Sequence, residues 1–358
     1  MQSTLATYFA SFLFDLLLVS MLAYDFVLPL FQARWNTRAV LEGVASKYQP
    51  HTIHVITPAE QAQQLTSLAK NWDIPKLVTH AEESFFQPLG LSKAGICEVL
   101  QLEKSLYPPG WFYQQLLKLG AYEGIPSLSE WYLVWDADLL PVASWPITQT
   151  ENNKTSYWFA LLQHNQYGNE AIVNKWARWI QQVLDVEPLT DAEGTFVPHH
   201  LWFKQEHLHS FQQRLQDYYR TSEHWIKLMM RSANDFGTFS EFWAYASWVA
   251  HQAPQDVHYY PYDKYGRSTE RFFDDGTGLF SAAFRKKYQL EGSTNTSFYP
   301  SYSQILAFVE DHYADSILPS SLSFESSPRH LQKGRENMHI EELRSRWTPT
   351  KIATSKVI

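Results

Sequence analysis

Trp131-Tyr132-Leu133-Val134-Trp135-Asp136-Ala137-Asp138-Leu139-Leu140-Pro141 decides how this chain is read. A run of uncharged residues, Val134 and three aromatics among them, leads straight into two aspartates one residue apart. Such a run reads as a strand buried on both faces. Residues i and i+2 of a strand point to the same side, so Asp136 and Asp138 present two carboxylates together at its C-terminal end. In open α/β sheets that end is where ligands bind. Paired hard, anionic oxygen donors there suit Mg²⁺ or Mn²⁺ held with substrate phosphates. The plainer reading makes both aspartates turn residues, with Pro141 as punctuation. An isolated D-x-D is common by chance, and only its place behind a buried strand lends this one weight.

Toward the N-terminus the pattern supports a parallel sheet. Residues 24–30 (YDFVLPL) read as a first strand ended by Pro29, and residues 36–44 (NTRAVLEGV) have helical spacing. Residues 52–57 (TIHVIT) form a second strand, Pro58 opens a helix to about Lys70, and residues 77–80 (LVTH) form a third strand. Strand, helix, strand, helix, strand is the βαβ alternation. No G-x-G-x-x-G follows the first strand, so the dinucleotide fingerprint is missing. After Pro108-Pro109-Gly110, residues 111–120 (WFYQQLLKLG) read as a helix on which Gln114 and Lys118 share a face, which on spacing alone is a solvated polar face.

Toward the C-terminus, strands are expected at 157–162 and around Phe196. Histidines 199, 200, 207 and 209 fall close together without an H-E-x-x-H. They read as surface and capping residues, with His200 carried forward as a candidate third metal ligand. Leu208, Phe211, Leu215 and Tyr218 mark an amphipathic helix; Thr238-x-x-Glu241 opens another, with Phe239, Phe242, Trp243, Ala246 and Val249 inward. For Glu241 two readings stand side by side. It completes a capping box with Thr238, or it is a base whose aromatic neighbours desolvate it. Residues 259–271 (YYPYDKYGRSTER) look like a substrate-side loop. Beyond about Tyr313 the chain turns Ser-, Pro- and Arg-rich and reads as disordered.

Composition sets the outer limits. At 358 residues the chain can bury a large core; 45% hydrophobic and 18% charged is globular, and a net charge of -8 gives no electrostatic case for nucleic acid. Cys97 is the sole cysteine, which excludes an intramolecular disulfide and a Cys-based zinc cluster. Residues 8–24 are apolar with Asp15 in the middle and no basic residue before them. They read as a helix packed on the domain or, alternatively, as a membrane anchor or signal. The cytoplasm is favoured slightly over a membrane-anchored place in the secretory pathway. Sequons at Asn153 and Asn295 decide nothing.

Taken in order, residues 24–30, 53–58 (IHVITP), 110–118 (GWFYQQLLK), 135–138 (WDAD), 198–200 (PHH) and 239–242 (FSEF) resemble the GT-A-fold glycosyltransferase-like proteins. The likeness is to a poorly characterised family of nucleotide-diphospho-sugar transferase-like proteins. It spans roughly residues 24–290. The resemblance implies an α/β fold with a Rossmann-like, mostly parallel sheet flanked by helices. It also implies a sugar-nucleotide donor and a divalent metal, Mn²⁺ or Mg²⁺, on Asp136 and Asp138. It names no sugar.

The expectations that follow are concrete. Residues 1–23 form an apolar N-terminal helix, 24–313 the GT-A-like domain and 314–358 a disordered tail. The chain moves a sugar from a nucleotide diphosphate to a glycan, lipid or protein acceptor. The alternatives are a non-catalytic sugar-nucleotide binder of the same fold, or a metal-dependent hydrolase using the His199/His200 region. Asp136, Asp138 and His200 hold the metal, Lys118 adds a point charge to the phosphates, Asp25 at the end of the first strand touches the nucleotide, and Glu241 is the base.

Overall fold

The computed structural model describes residues 24–100, 107–143, 147–151, 154–160, 162–163, 170–189, 194–260, 269–272, 280, 284, 286, 299–314 and 318–324. The apolar segment 1–23, residues 261–268 of the expected loop and residues 325–358 lie outside them. Among the described residues no helix is long and apolar enough to cross a membrane.

The fold class is the expected one: a mostly parallel central sheet flanked by helices. Strand β1 (Asp25–Pro29) leads through the helix Thr37–Tyr48 to β2 (Thr52–Thr57), then through the helix Ala59–Ala69 to β3 (Leu77–Ala81). The chain next forms the helices Lys93–Val99 and Pro109–Leu119 and enters β4 (Trp131–Trp135). Beyond β4 come β5 (Leu139–Pro141), β6 (Thr148–Glu151), β7 (Lys154–Ala160), and the two-residue strands β8 (Leu162–Gln163) and β9 (Gly194–Thr195). Then follow β10 (His200–Lys204), the helices Gln205–Tyr219, Trp225–Phe236 and Glu241–Gln252, β11 (Val257–Tyr260), β12 (Thr269–Phe272), the helix Tyr302–His312 and β13 (Ser321–Phe324).

The central sheet runs β10-β4-β1-β2-β3. Strands β1 to β4 are parallel, and β10 closes the edge antiparallel to β4. The chain winds from β1 through β2 to β3 on one side, then returns to place β4 on the other. The strand order therefore reverses between β1 and β4, and in open α/β sheets the C-terminal ends at such a reversal are where ligands bind. Strands buried on both faces need apolar residues throughout, and Tyr132, Leu133, Val134 and Trp135 are all buried, as are Phe26, Val27 and Leu28. Phe239, Phe242, Trp243, Ala246 and Val249 are likewise buried, so the inward stripe read for the last long helix is correct.

Two expectations about extent need correction. Residues 259–260 and 269–271, the two ends of the expected loop, lie in strands; β11 pairs with β7 and β12 with β13. The expected tail is not wholly a tail either. Strand β13 pairs antiparallel with β5, and Leu322 and Phe324 are fully buried. Its Ser-Leu-Ser-Phe alternation is only four residues long and sits in a Ser-rich stretch, and the structure buries Ser321 and Ser323 as well. The helix Thr37–Tyr48 packs closely on this region. A Cβ added at Gly43 would stand 2.8 Å from the Tyr302 ring and 2.9 Å from Pro141.

Candidate metal and donor site

β4 ends at Trp135, and the two aspartates stand in the turn that follows. Leu139 N–H donates to the Asp136 carbonyl at 3.0 Å, which closes the turn. The reading of the two aspartates as turn residues is therefore realised. Neighbours brace this turn. Trp135 Nε1 donates to the Leu139 carbonyl at 2.7 Å. Asp136 N–H donates to the His199 carbonyl at 2.8 Å, and Phe324 N–H to the Asp138 carbonyl at 3.0 Å.

Asp136, Asp138 and His199 each offer one ligand atom, and these atoms lie within 4.8 Å of one another. Among the described residues this is the one group of three or more such side chains. Two carboxylates with an imidazole form a mixed, mainly hard donor set that fits Mn²⁺ better than Mg²⁺, which prefers oxygen alone. His199 Nδ1 is 3.0 Å from Asp136 Oδ2.

The histidine is His199, which corrects the expectation of His200. His199 has φ 65°, a left-handed conformation in which non-glycine residues are uncommon. That twist ends the ladder beside Trp135 and sends neighbouring side chains to different places. His200 starts β10 opposite Trp135, with the two rings 4.9 Å apart. Its Nδ1 stands 3.1 Å from the Pro198 carbonyl. Burial drives the pKa of His200 down to about 3, so the ring is neutral and packs behind the site.

Lys118 also departs from its expectation. Its side chain is no solvated face: Lys118 is 3% exposed, and Nζ lies 2.6 Å from Asp136 Oδ1 and 2.6 Å from Glu241 Oε1. The ammonium also sits 4.2 Å from the centre of the Phe242 ring. Burial alone would pull its pKa down, but Asp136 and Glu241 outweigh burial and hold it above the ordinary lysine range. On Asp136 burial likewise pushes upward, and Lys118 and His199 together bring the carboxyl below its usual value. With both carboxylates at hydrogen-bond distance, Lys118 is engaged by the chain's own acids.

Glu241 is buried at 3% exposure and opens its helix, but the capping box with Thr238 does not form. Ser240 is the N-cap and makes no side-chain cap bond. Thr238 Oγ1 instead accepts from Trp176 Nε1 at 2.8 Å. Glu241 N–H donates to Gln115 Oε1 at 2.9 Å, one turn before Lys118 on the same helix. Spacing in the sequence brought Gln114 to notice, whereas Gln115 makes the contact.

Asp25 is not brought to this site. It starts β1 opposite Tyr132, at the N-terminal end of the parallel strands, whereas Asp136 follows their C-terminal end. Four residues of strand, roughly 13 Å, separate the two levels. Asp25 Oδ2 accepts from Ser129 N–H at 2.9 Å and Ser129 Oγ at 2.7 Å; His51 Nδ1 is 3.3 Å from Oδ1 and His54 Nε2 3.7 Å from Oδ2.

Residues 39–292 match the model of DUF6492, described as a family of unknown function. No curated protein matches the chain in sequence. Among solved structures, the apo form of mouse xyloside xylosyltransferase 1 is similar at 12% identity and a TM-score of 0.38, over 84% of this chain and 97% of that one. The bifunctional glycosyltransferase WbbM is similar at 12% identity and a TM-score of 0.37, over 85% of this chain and 46% of that one. Glucosyl-3-phosphoglycerate synthase from Mycobacterium tuberculosis, in complex with Mn²⁺, uridine diphosphate and glucosyl-3-phosphoglycerate, is similar at 11% identity and a TM-score of 0.27, over 68% of this chain and 75% of that one.

Proposed function

We propose, for a chain that belongs to the DUF6492 family, a metal-dependent glycosyltransferase that moves a sugar from a nucleotide-diphosphate donor. The observation that carries this reading is the Asp136, Asp138 and His199 group, placed behind β4 at the reversal of strand order. Such a reversal is where phosphorylated ligands meet an open α/β sheet. Asp136, Asp138 and His199 would hold the metal, which supplies charge neutralisation and Lewis acidity at a diphosphate leaving group.

The chain's own residues do the positioning. The braced turn fixes both aspartates before a ligand arrives, which spares the cost of ordering them at binding. Lys118 takes Asp136 Oδ1, which leaves Oδ2 on the His199 side. The acceptor of the sugar is a glycan, a lipid or a protein.

A donor screen tests the reading. Thermal shift with Mn²⁺ and a panel of sugar nucleotides should give a rise in melting temperature for at least one donor, followed by measurable donor hydrolysis. Asp138→Asn should cut that hydrolysis by ~10²-fold or more. Full activity in Asp138→Asn, or in the presence of chelator, removes the metal from the mechanism. Nucleotide binding without turnover makes the protein a binder of the same fold.

A further inference from the structure

Lys118 stands between two carboxylates, and only one of them belongs to the metal group. Asp136 is a ligand candidate; Glu241 is not among the three side chains that converge. Lys118 Nζ is 2.6 Å from each; Lys118 and Glu241 are buried, and Asp136 is 15% exposed. A lysine ammonium beside a metal ligand opposes a divalent cation in two ways. It repels the cation directly, and it competes for the ligand's charge. Low exposure makes both effects larger than they would be at a surface. Asp136 and Lys118 alone form a neutral pair. Adding Glu241 gives the trio one net negative charge, before Asp138 is counted.

We infer that Glu241 is a positioning residue that acts on the metal site through Lys118, as the counter-ion that offsets the ammonium so that Asp136 retains charge for a divalent cation. The inference rests on the reading of Asp136, Asp138 and His199 as a metal site. It assigns Glu241 no contact with metal, donor or acceptor. Three features support a fixed, charge-setting role over that of a base. Glu241 is buried, its carboxylate is occupied by Lys118, and its backbone is tied to Gln115 on the helix that carries Lys118. Lys118 is itself held over the Phe242 ring, next to Glu241 in sequence, so helices Pro109–Leu119 and Glu241–Gln252 hold the pair from both sides.

The test is the Mn²⁺ affinity of the purified chain, measured by electron paramagnetic resonance of free Mn²⁺, with no donor present. Glu241→Gln keeps the shape and an acceptor oxygen for Lys118 but removes the charge. It should weaken Mn²⁺ binding on the order of tenfold, the scale of one shielded charge near a bound cation, with the melting temperature little changed. Glu241→Asp, which keeps the charge, should stay within about threefold of wild type. A catalytic base predicts the opposite pattern: turnover lost in Glu241→Gln and Mn²⁺ affinity untouched. Unchanged affinity in a folded Glu241→Gln therefore overturns the inference while leaving the metal site standing. Should Glu241→Gln fail to fold, the double variant Lys118→Met, Glu241→Gln removes the buried pair together. It should bind Mn²⁺ within about threefold of wild type, and loss of binding there overturns the charge account. Asp138→Asn reports separately on the underlying reading: if wild type binds no Mn²⁺, or Asp138→Asn binds it equally well, the metal site falls and the role of Glu241 falls with it.

Discussion

Each end of the parallel sheet holds an aspartate with histidine for company, Asp25 buried and Asp136 partly exposed, and the two are built to opposite ends. At the N-terminal end Asp25 takes its bonds from Ser129, with His51 and His54 close by and His80 2.9 Å beyond His54. Burial would raise its pKa, but the bonds from His54 and Ser129 outweigh burial and hold the carboxyl well below the usual range. The chain's own donors fully engage that carboxylate. At the C-terminal end Asp136 shares one ammonium with Glu241, while Asp138 and His199 turn ligand atoms toward it. An aspartate and a histidine thus do not make a metal site by themselves. What sets the C-terminal end apart among the described residues is a second carboxylate, Asp138, which converges there with Asp136 and His199.

The sharpest way to break this contrast is Asp25→Ala. Removing the carboxylate strands the buried groups around it, and stability should fall by about 3 kcal/mol in urea denaturation. Mn²⁺ affinity should not move; a parallel loss of Mn²⁺ would show that the two ends are not separate. The reverse variant is His199→Asn, in which asparagine tolerates the left-handed backbone while the imidazole is lost. Mn²⁺ affinity should drop at least on the order of tenfold. Unfolding should shift little, and a large destabilisation would make His199 a structural residue.

Acid separates the ends next. Burial lowers the His80 pKa to about 4, with the neighbouring His54 adding to the effect. A folded pKa below the ordinary value of about 6.5 means that the fold prefers the neutral ring. That contribution is complete above about pH 6.5 and is lost as pH falls from there toward 4. Asp25, whose folded pKa is also depressed, adds a second loss only below about pH 4. Stability in urea denaturation should decline from pH 7 to pH 5 by about 1 kcal/mol once solvent screening of a half-buried ring is allowed for. His80→Leu should flatten that decline, and an unaltered slope would move the acid sensitivity elsewhere. The smallest effect is expected of His200→Gln, whose Mn²⁺ affinity should stay within about threefold of wild type because His200 packs on Trp135 and not among the ligands.

The sequence made the frame legible because the frame is local. The uncharged run 131–135, the βαβ spacing before it and the helix opened by Pro109 each announce themselves within a dozen residues. The place of Asp136 and Asp138 directly behind the strand was legible for the same reason. His199 was not, because the choice between it and His200 hangs on one left-handed φ that no residue type advertises. Glu241 had a local explanation in Thr238, and a contact 123 residues away displaced it. Lys118 looked solvated because a helix face is judged by its own helix, while two acids from elsewhere cover it. Asp25 was misplaced by one end of a strand, although its position second in the run 24–30 already sets it at the N-terminal end.

Strand β13 gives the site a timetable. Its Phe324 N–H holds the carbonyl of Asp138, a partner made about 190 residues earlier. A ribosome adding roughly 5–20 residues per second leaves that carbonyl waiting for roughly ten to forty seconds. Throughout that interval the sheet β1 to β4 can already be paired, while β5 lacks its neighbour. The four parallel strands can therefore pair well before the acidic turn gains its last brace from Phe324.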